Sequence, residues 1–202
     1  MLVKLFLFGR PGCGKSSAAK HIIKYIENRQ WSIKRFKDFD VLQAMSKEEQ
    51  YKESFKPTFY NGFEGFDVLS KDIFDIALQK LNKQLHSYIT HSKTDEIILI
   101  EFARDDYETA LNNFSHEVLK DAFFLCIDVN LDICKIRVKK RMENPKSSDD
   151  HYISDEALQQ FYLEQKFPDE NFPARFKLDN NGSEQDFINK IDNLVDSSIF
   201  KQ

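Results

Sequence analysis

An α/β fold, with a parallel sheet covered by helices on both faces, is predicted by three features of this sequence. Short apolar runs alternate with segments of helical periodicity along most of the chain. Glu96-Ile-Ile-Leu-Ile-Glu101 is apolar between its ends, as a central strand buried on both faces must be. Gly9 ends the first apolar run and opens a glycine-rich turn that leads straight into a helical pattern. Right-handed βαβ crossovers are the connections that such an alternation requires.

Leu2 to Phe8 reads as the first buried strand. From Lys15 a helix follows, with Ala18, Ala19, Ile22, Ile23 and Ile26 on one face. Trp31 to Lys37 is the second strand, ending in Asp38-Phe39-Asp40. Residues 41–66 read as irregular, with Phe55, Phe59, Tyr60, Phe63 and Phe66 close together. A long amphipathic helix is carried by Leu69, Ile73, Ile76, Ala77, Leu81, Leu85 and Tyr88. After the strand ending at Glu101, residues 106–120 read as helical and Ala122 to Val129 as another strand. Leu131 to Met142 is a basic helix, and Pro145 to Asp150 a loop. Ser154 can cap a helix whose first turn carries Asp155 and Glu156, matching the dipole. Ala174 to Leu178 is the last strand. Ser183 and Asp186 resemble a capping box opening a final helix, whose inner face holds Phe187, Ile188, Ile191, Leu194, Val195 and Ile199.

Gly9-Arg10-Pro11-Gly12-Cys13-Gly14-Lys15-Ser16 fits the pattern G-x-x-x-x-G-K-[ST] in full, between a strand and a helix. Three of the six glycines fall in this one turn. Glycines let consecutive backbone N–H groups face phosphate oxygens, and the helix N-terminus adds about half a positive charge. The expected nucleotide-binding residues are therefore Gly9, Pro11, Gly12, Cys13, Gly14, Lys15, Ser16 and Ser17. Lys15 can reach the β- and γ-phosphates of ATP, and the Ser16 hydroxyl can hold Mg²⁺.

The 202 residues suit one domain, and the formal charge of −4 argues against a general affinity for nucleic-acid backbone. Lys34-Arg35-Phe36-Lys37 is the clearest candidate for a local basic track. Cys13, Cys126 and Cys134 are odd in number and lack metal spacing, which points to a reducing, cytoplasmic setting. The apolar start is too short for a membrane span and carries no signal-type cleavage site. Two strings suggest a guanine-nucleotide switch, Asp179-Asn-Asn-Gly182 and Asn189-Lys-Ile-Asp192. Ile191 belongs to the inner face of the last helix, where a guanine-reading loop cannot lie, so both are accidents.

The phosphate loop, the acidic residue closing the central strand and the basic helix together resemble the nucleoside-monophosphate-kinase-like branch of the P-loop kinases. That branch includes adenylate kinase and many small-metabolite kinases. The resemblance implies a three-layer sandwich around a five-stranded parallel sheet, with ATP and Mg²⁺ as nucleotide and metal. It also implies an acceptor-binding insertion at about 41–66 and a lid at about 140–155. Arg137-Val-Lys-Lys-Arg141 reproduces the family's R-x-x-x-R, which places both guanidinium groups on one helix face. The resemblance would stack Arg137 on adenine and set Arg141 on the transferring phosphate; a solvated basic helix end is the alternative. Asn180, in the segment after the last strand, resembles the family's adenine-side loop, or is simply part of a turn feeding a capped helix. Asp150-His151 resembles lid sequence of small-metabolite kinases.

Glu101 should emerge at the carboxyl edge of the sheet, where open α/β sheets bind ligands. There it can hold a Mg²⁺-bound water or accept a proton. Glu101-Phe-Ala-Arg104 resembles the Glu-Arg-Ser segment of deoxynucleoside kinases at one residue's longer spacing. Arg104 can steady phosphoryl charge or form a surface ion pair. Asp38 or Asp40 is a candidate base, or a cap for the following helix. Residues 41–66 hold no arginine, which argues for a hydroxyl rather than a phosphate on the small-molecule acceptor.

Overall fold

In the first strand, β1 (Leu2–Phe8), alternate side chains enter different cores. Phe6 and Phe8 join one cluster, while Val3, Leu5 and Leu7 join the other. The computed structural model describes residues 1–27, 31–92, 95–145, 149–169, 172 and 174–199. β1 sits at the centre of a five-stranded sheet with β2 (Ser32–Lys37), β5 (Glu96–Phe102), β6 (Ala122–Asp128) and β7 (Arg175–Asp179). The order is β2-β5-β1-β6-β7, and every pairing is parallel. Period-two alternation thus splits even continuous apolar runs: Ile98, Ile100 and Phe102 face one side of β5, Ile97 and Leu99 the other.

Helices α1 (Lys15–Ile26) and α8 (Glu184–Leu194) cover one face. Ala18, Ala19, Ile22 and Ile26 are buried as the periodicity predicts, and Ile23 is partly buried. The Ser183 side chain accepts the Asp186 N–H at the start of α8. Phe187, Ile191, Leu194 and Val195 line its buried stripe, whereas the Ile199 side chain lies outside the described residues. Burial of Ile191 in α8 fits its exclusion from any guanine-reading loop.

The long helix α3 (Lys71–Ile89) covers the opposite face, burying Ile73, Phe74, Ala77, Leu78, Leu81 and Leu85. Leu69 precedes α3 and is exposed, contrary to its predicted place in the helix. The helical stretch after β5 is two short pieces, α4 (Tyr107–Leu111) and α5 (His116–Leu119). Helix α6 (Leu131–Arg141) follows β6, and α7 (Asp155–Tyr162) starts from Ser154, whose hydroxyl accepts the Ala157 N–H. The expected Pro145–Asp150 loop is described except at 146–148.

Residues 41–66 are not irregular. Helix α2 (Asp38–Met45) leads through a 3₁₀ turn (Glu49–Ser54) into an antiparallel hairpin, β3 (Phe55–Tyr60) and β4 (Phe63–Val68). Asn61 and Gly62 both take positive φ, 50° and 82°, the geometry of a two-residue turn matched to strand twist. The hairpin's tip is exposed, and only the end near β4's Asp67 and Val68 is buried. No helix among the described residues is long and apolar enough to cross a membrane.

Candidate active site

The carboxyl edge of β1, β2 and β5 carries the site. Gly9 to Ser16 wraps from β1 into α1 with positive φ at Gly9, Gly12 and Gly14. A Cβ at Gly12 would meet the Cys134 carbonyl oxygen at 2.6 Å, and one at Gly14 the Asn180 Nδ2 at 2.7 Å. Glycine is needed at both positions for backbone conformation and for space. The Gly9 N–H donates to the hydroxyl of fully buried Tyr107 at 2.7 Å, which anchors the loop's entry. Lys15 curls over the loop, its Nζ donating to the Gly9 and Arg10 carbonyls at 2.6 and 3.0 Å.

In-register pairing of Lys37 with Glu101 and of Arg35 with Leu99 turns these side chains toward the α1 face. Glu101 is 3% exposed. Its Oε1 accepts from Arg35 Nε at 2.5 Å and its Oε2 from the Ser16 hydroxyl at 3.3 Å. Arg35 also donates to Asp149, which lies between α6 and α7 and meets Lys37 and Lys20, each at 3.2 Å. Burial alone would raise the Asp149 pKa; the charges and hydrogen bonds of Arg35 and Lys37 overcome it and hold the carboxyl well below the usual range.

Asp38, the first residue of α2, is buried beside β5. Its Oδ2 accepts from Arg104 Nη1 at 2.9 Å and from the Ala103 N–H at 3.3 Å. Arg104 therefore stands behind Asp38, away from the cavity, rather than exposed in a surface ion pair. It donates further to the Phe74 carbonyl at 2.6 Å, with its guanidinium 4.6 Å from the Phe74 ring centre. Asp40 is exposed and pairs with Lys37 at 3.0 Å.

On the other side of the loop, Arg137 Nη2 donates to the Asn180 carbonyl at 3.0 Å. Asn180 Nδ2 in turn donates to the Cys13 carbonyl at 2.8 Å. Arg137 Nη1 and Arg141 Nε are buried and have no protein partner among the described residues. Arg141 Nη2 holds the His151 carbonyl at 2.6 Å. The His151 ring lies on Phe39 with centres 3.5 Å apart and planes within 10°. Burial first, then the charges of Arg141, Lys15 and Lys37, hold His151 well below the usual histidine pKa, so it is neutral at pH 7. The three thiols are free and buried, and desolvation pushes Cys126 up to about 11 and Cys134 up to about 12.

One cavity of about 720 Å³ joins these parts. Pro11, Gly12, Gly14, Lys15, Ser16 and Ser17 form one wall, with Glu101 at the base. Arg137, Arg141 and Asn180 also line it, as does Asp38 on the far side; Arg104 does not. Sequence reasoning passed over Asp67, Tyr107 and Asp149 as site residues, and read Arg35 and Lys37 only as part of a basic track. Arg35 and Lys37 carried a signal, since residues two apart at a strand's end share a face.

The pair Ser16 and Glu101 offers hard oxygen donors beside the phosphate loop. That set fits Mg²⁺, which takes one or two protein oxygens and otherwise keeps waters and phosphate oxygens.

No protein-family model matches the sequence, and no curated protein does. Solved structures do match. Kti12 of Chaetomium thermophilum in complex with ADP-AlF3 is 13% identical, with a TM-score of 0.61 over 96% of this chain and 98% of its own. The APS kinase CysC of Mycobacterium tuberculosis, in complex with AMPPNP and APS, is 14% identical, with a TM-score of 0.59 over 96% and 98%. A gluconokinase from Sinorhizobium meliloti is 12% identical, with a TM-score of 0.58 over 99% and 97%. With a complete phosphate loop on a β2-β5-β1-β6-β7 parallel sheet, this chain shares the α/β fold of these P-loop proteins, an APS kinase and a gluconokinase among them.

Proposed function

We propose that this chain transfers the γ-phosphoryl group of ATP to a hydroxyl group of a small acceptor. The observation that carries the reading is one continuous cavity that runs from the phosphate loop to a buried carboxylate, Asp38, on the acceptor side. The loop's N–H groups and the α1 N-terminus bind the phosphates, with Lys15 at the β- and γ-oxygens. Arg137 and Asn180 mark the adenine side, and Arg141 reaches the transferring phosphate. Ser16 and Glu101 would hold Mg²⁺, which neutralises phosphate charge when bound.

Asp38 and Glu101 then take different tasks. Both Glu101 oxygens are engaged, one by Arg35 and one by Ser16, so its place is the metal side. Among the described residues Asp38 is pinned through Oδ2 only, which leaves Oδ1 to orient the acceptor hydroxyl and take its proton. Arg104 acts through Asp38 as a positioning residue. Asp149 ties the lid to β2 and helps exclude water from the closed site.

Lys15-dependent ADP release from Mg-ATP tests this reading, measured with and without nucleosides, nucleotides and small hydroxylated metabolites. Stimulation by a hydroxyl acceptor in wild type and none in Lys15→Ala is expected. ATP binding without Lys15-dependent turnover would refute transfer and favour a regulatory nucleotide-binding module. A nucleic-acid-end acceptor is disfavoured, because Arg35 and Lys37 of the basic track are spent on Glu101, Asp149 and Asp40.

A further inference from the structure

Four buried carboxylates line the cavity, and three of them have a basic partner. Asp38 has Arg104 at 2.9 Å, and Glu101 has Arg35 at 2.5 Å. Asp149 has Arg35, Lys37 and Lys20. Asp67, on β4, is the exception. It is 7% exposed and has no basic partner among the described residues. Its Oδ1 accepts the Ser154 N–H at 3.1 Å, and no described residue donates to its Oδ2.

An ionised carboxylate shut away from water is costly unless a positive charge meets it. The lining of the acceptor side suits such a charge. Phe66 and Phe161 face the same cavity, and ring faces attract cations; Phe39 and Phe74 line it too but already carry the His151 ring and the Arg104 guanidinium. A second polar group also waits there: His151 lines the cavity, and its Nδ1 is buried without a partner among the described residues. An acceptor bearing phosphate or carboxylate would instead set a second negative charge against Asp67. Of the basic groups lining the cavity, Lys37 is bound to Asp40 and Asp149, and Arg141 holds the His151 carbonyl and is assigned above to the transferring phosphate.

We propose that the acceptor is an amino alcohol, whose protonated amine pairs with Asp67 among these rings while its hydroxyl receives the phosphoryl group. This rests on the phosphoryl-transfer reading above. The hydroxyl oxygen forms the new bond to the γ-phosphorus. The bond from that phosphorus to the β–γ bridging oxygen breaks, its electron pair leaving with ADP. The hydroxyl proton passes to Asp38 and from there to water. The amine keeps its proton throughout, so it has no lone pair with which to attack.

Three probes that differ at one substituent test the charge: phenylglycinol, phenylethanol and tropate. Each carries a phenyl ring and a hydroxymethyl group; the differing substituent is an ammonium, a hydrogen or a carboxylate. Calorimetry on protein loaded with Mg²⁺ and a non-hydrolysable ATP analogue reads binding, and ADP release from Mg-ATP reads transfer. Phenylglycinol is expected to bind about 10- to 100-fold more tightly than phenylethanol, with tropate weakest. Asp67→Asn keeps an acceptor for the Ser154 N–H and should erase that preference, with an unchanged circular dichroism spectrum. Equal or tighter binding of phenylethanol or tropate, a preference that survives Asp67→Asn, or binding of none of the three would overturn the amino-alcohol assignment. If neutral alcohols alone stimulate Lys15-dependent ADP release, the acceptor class falls and phosphoryl transfer stands. Charge-selective binding with no Lys15-dependent ADP release overturns both.

Discussion

Removal of Arg35 should cost this protein more stability than an ordinary polar substitution, because two buried carboxylates depend on it. In Arg35→Ala, Glu101 loses the 2.5 Å contact from Nε and keeps only the Ser16 hydroxyl at 3.3 Å. Glu101 is 3% exposed, so water cannot replace the lost partner without opening the site. Asp149 is better protected, since Lys37 and Lys20 remain at 3.2 Å each. Breaking a buried pair from one side typically costs about 3–5 kcal/mol. With Asp149 still partnered, the lower part of that range applies, about 3–4 kcal/mol. For a domain of this size that lowers Tm by about 6–16 °C. Urea titration at pH 7 measures the loss, provided the slope with denaturant is unchanged. The decisive comparison is the same substitution made in Glu101→Gln, where no buried charge is stranded. There Arg35→Ala should cost at least about 1 kcal/mol less, a coupling that separates charge pairing from side-chain packing. A loss under about 1 kcal/mol in the native background, or simple additivity of the two substitutions, would refute the pairing argument.

Three further outcomes follow from the same geometry. Tyr107→Phe removes the acceptor of the Gly9 N–H and should cost about 1–3 kcal/mol in a urea titration, because that N–H is left buried and unpaired. Gly12→Ala sets a Cβ 2.6 Å from the Cys134 carbonyl at a φ of +83°. It should weaken binding of a fluorescent ATP analogue by at least about tenfold, since strain of this kind is worth roughly 1–3 kcal/mol. His151 has a folded-state pKa well below its unfolded value. As pH falls through about 6.5, the unfolded chain takes up a proton that the folded chain refuses, so stability declines. Thermal unfolding between pH 7.5 and 5 should therefore show an acid slope on the order of 1.4 kcal/mol per pH unit at most, flattened in His151→Gln.

The parallel sheet was legible because its central strands are apolar on both faces and each is followed by a helical period or a turn. β1, β5 and β6 are found within a residue of where the runs of apolar side chains place them. Residues 41–66 were not legible in that way. Hydrophobic periodicity reports burial against a core, and β3 and β4 bury little along their length. Their signal was of another kind, the Asn61-Gly62 pair, whose positive φ values make a hairpin whatever the flanking strands bury. α2 was hidden for a related reason, since its eight residues span barely two turns and its first turn was read as a strand ending.

The candidate site divides along the same line. The phosphate loop is local: eight consecutive residues specify turn, helix start and charge, so its glycines and Lys15 could be named from spacing alone. Glu101 was legible too, because a carboxylate closing an apolar strand must come out at the sheet's edge. What spacing cannot carry is pairing between distant segments. Arg35 and Asp149 are 114 residues apart, and Asp67 reaches Ser154 across 87. The sequence showed Arg104 as a basic residue near a strand end, which suits a phosphate contact or a surface ion pair equally. Only the fold puts Phe74 and Asp38 around it and turns it into a support for the carboxylate. The same logic gives Asp67 its meaning. An acidic residue beside an irregular stretch predicts nothing, but a buried carboxylate at a cavity wall that lacks, among the described residues, the basic partner its three neighbours have is a demand on whatever binds there.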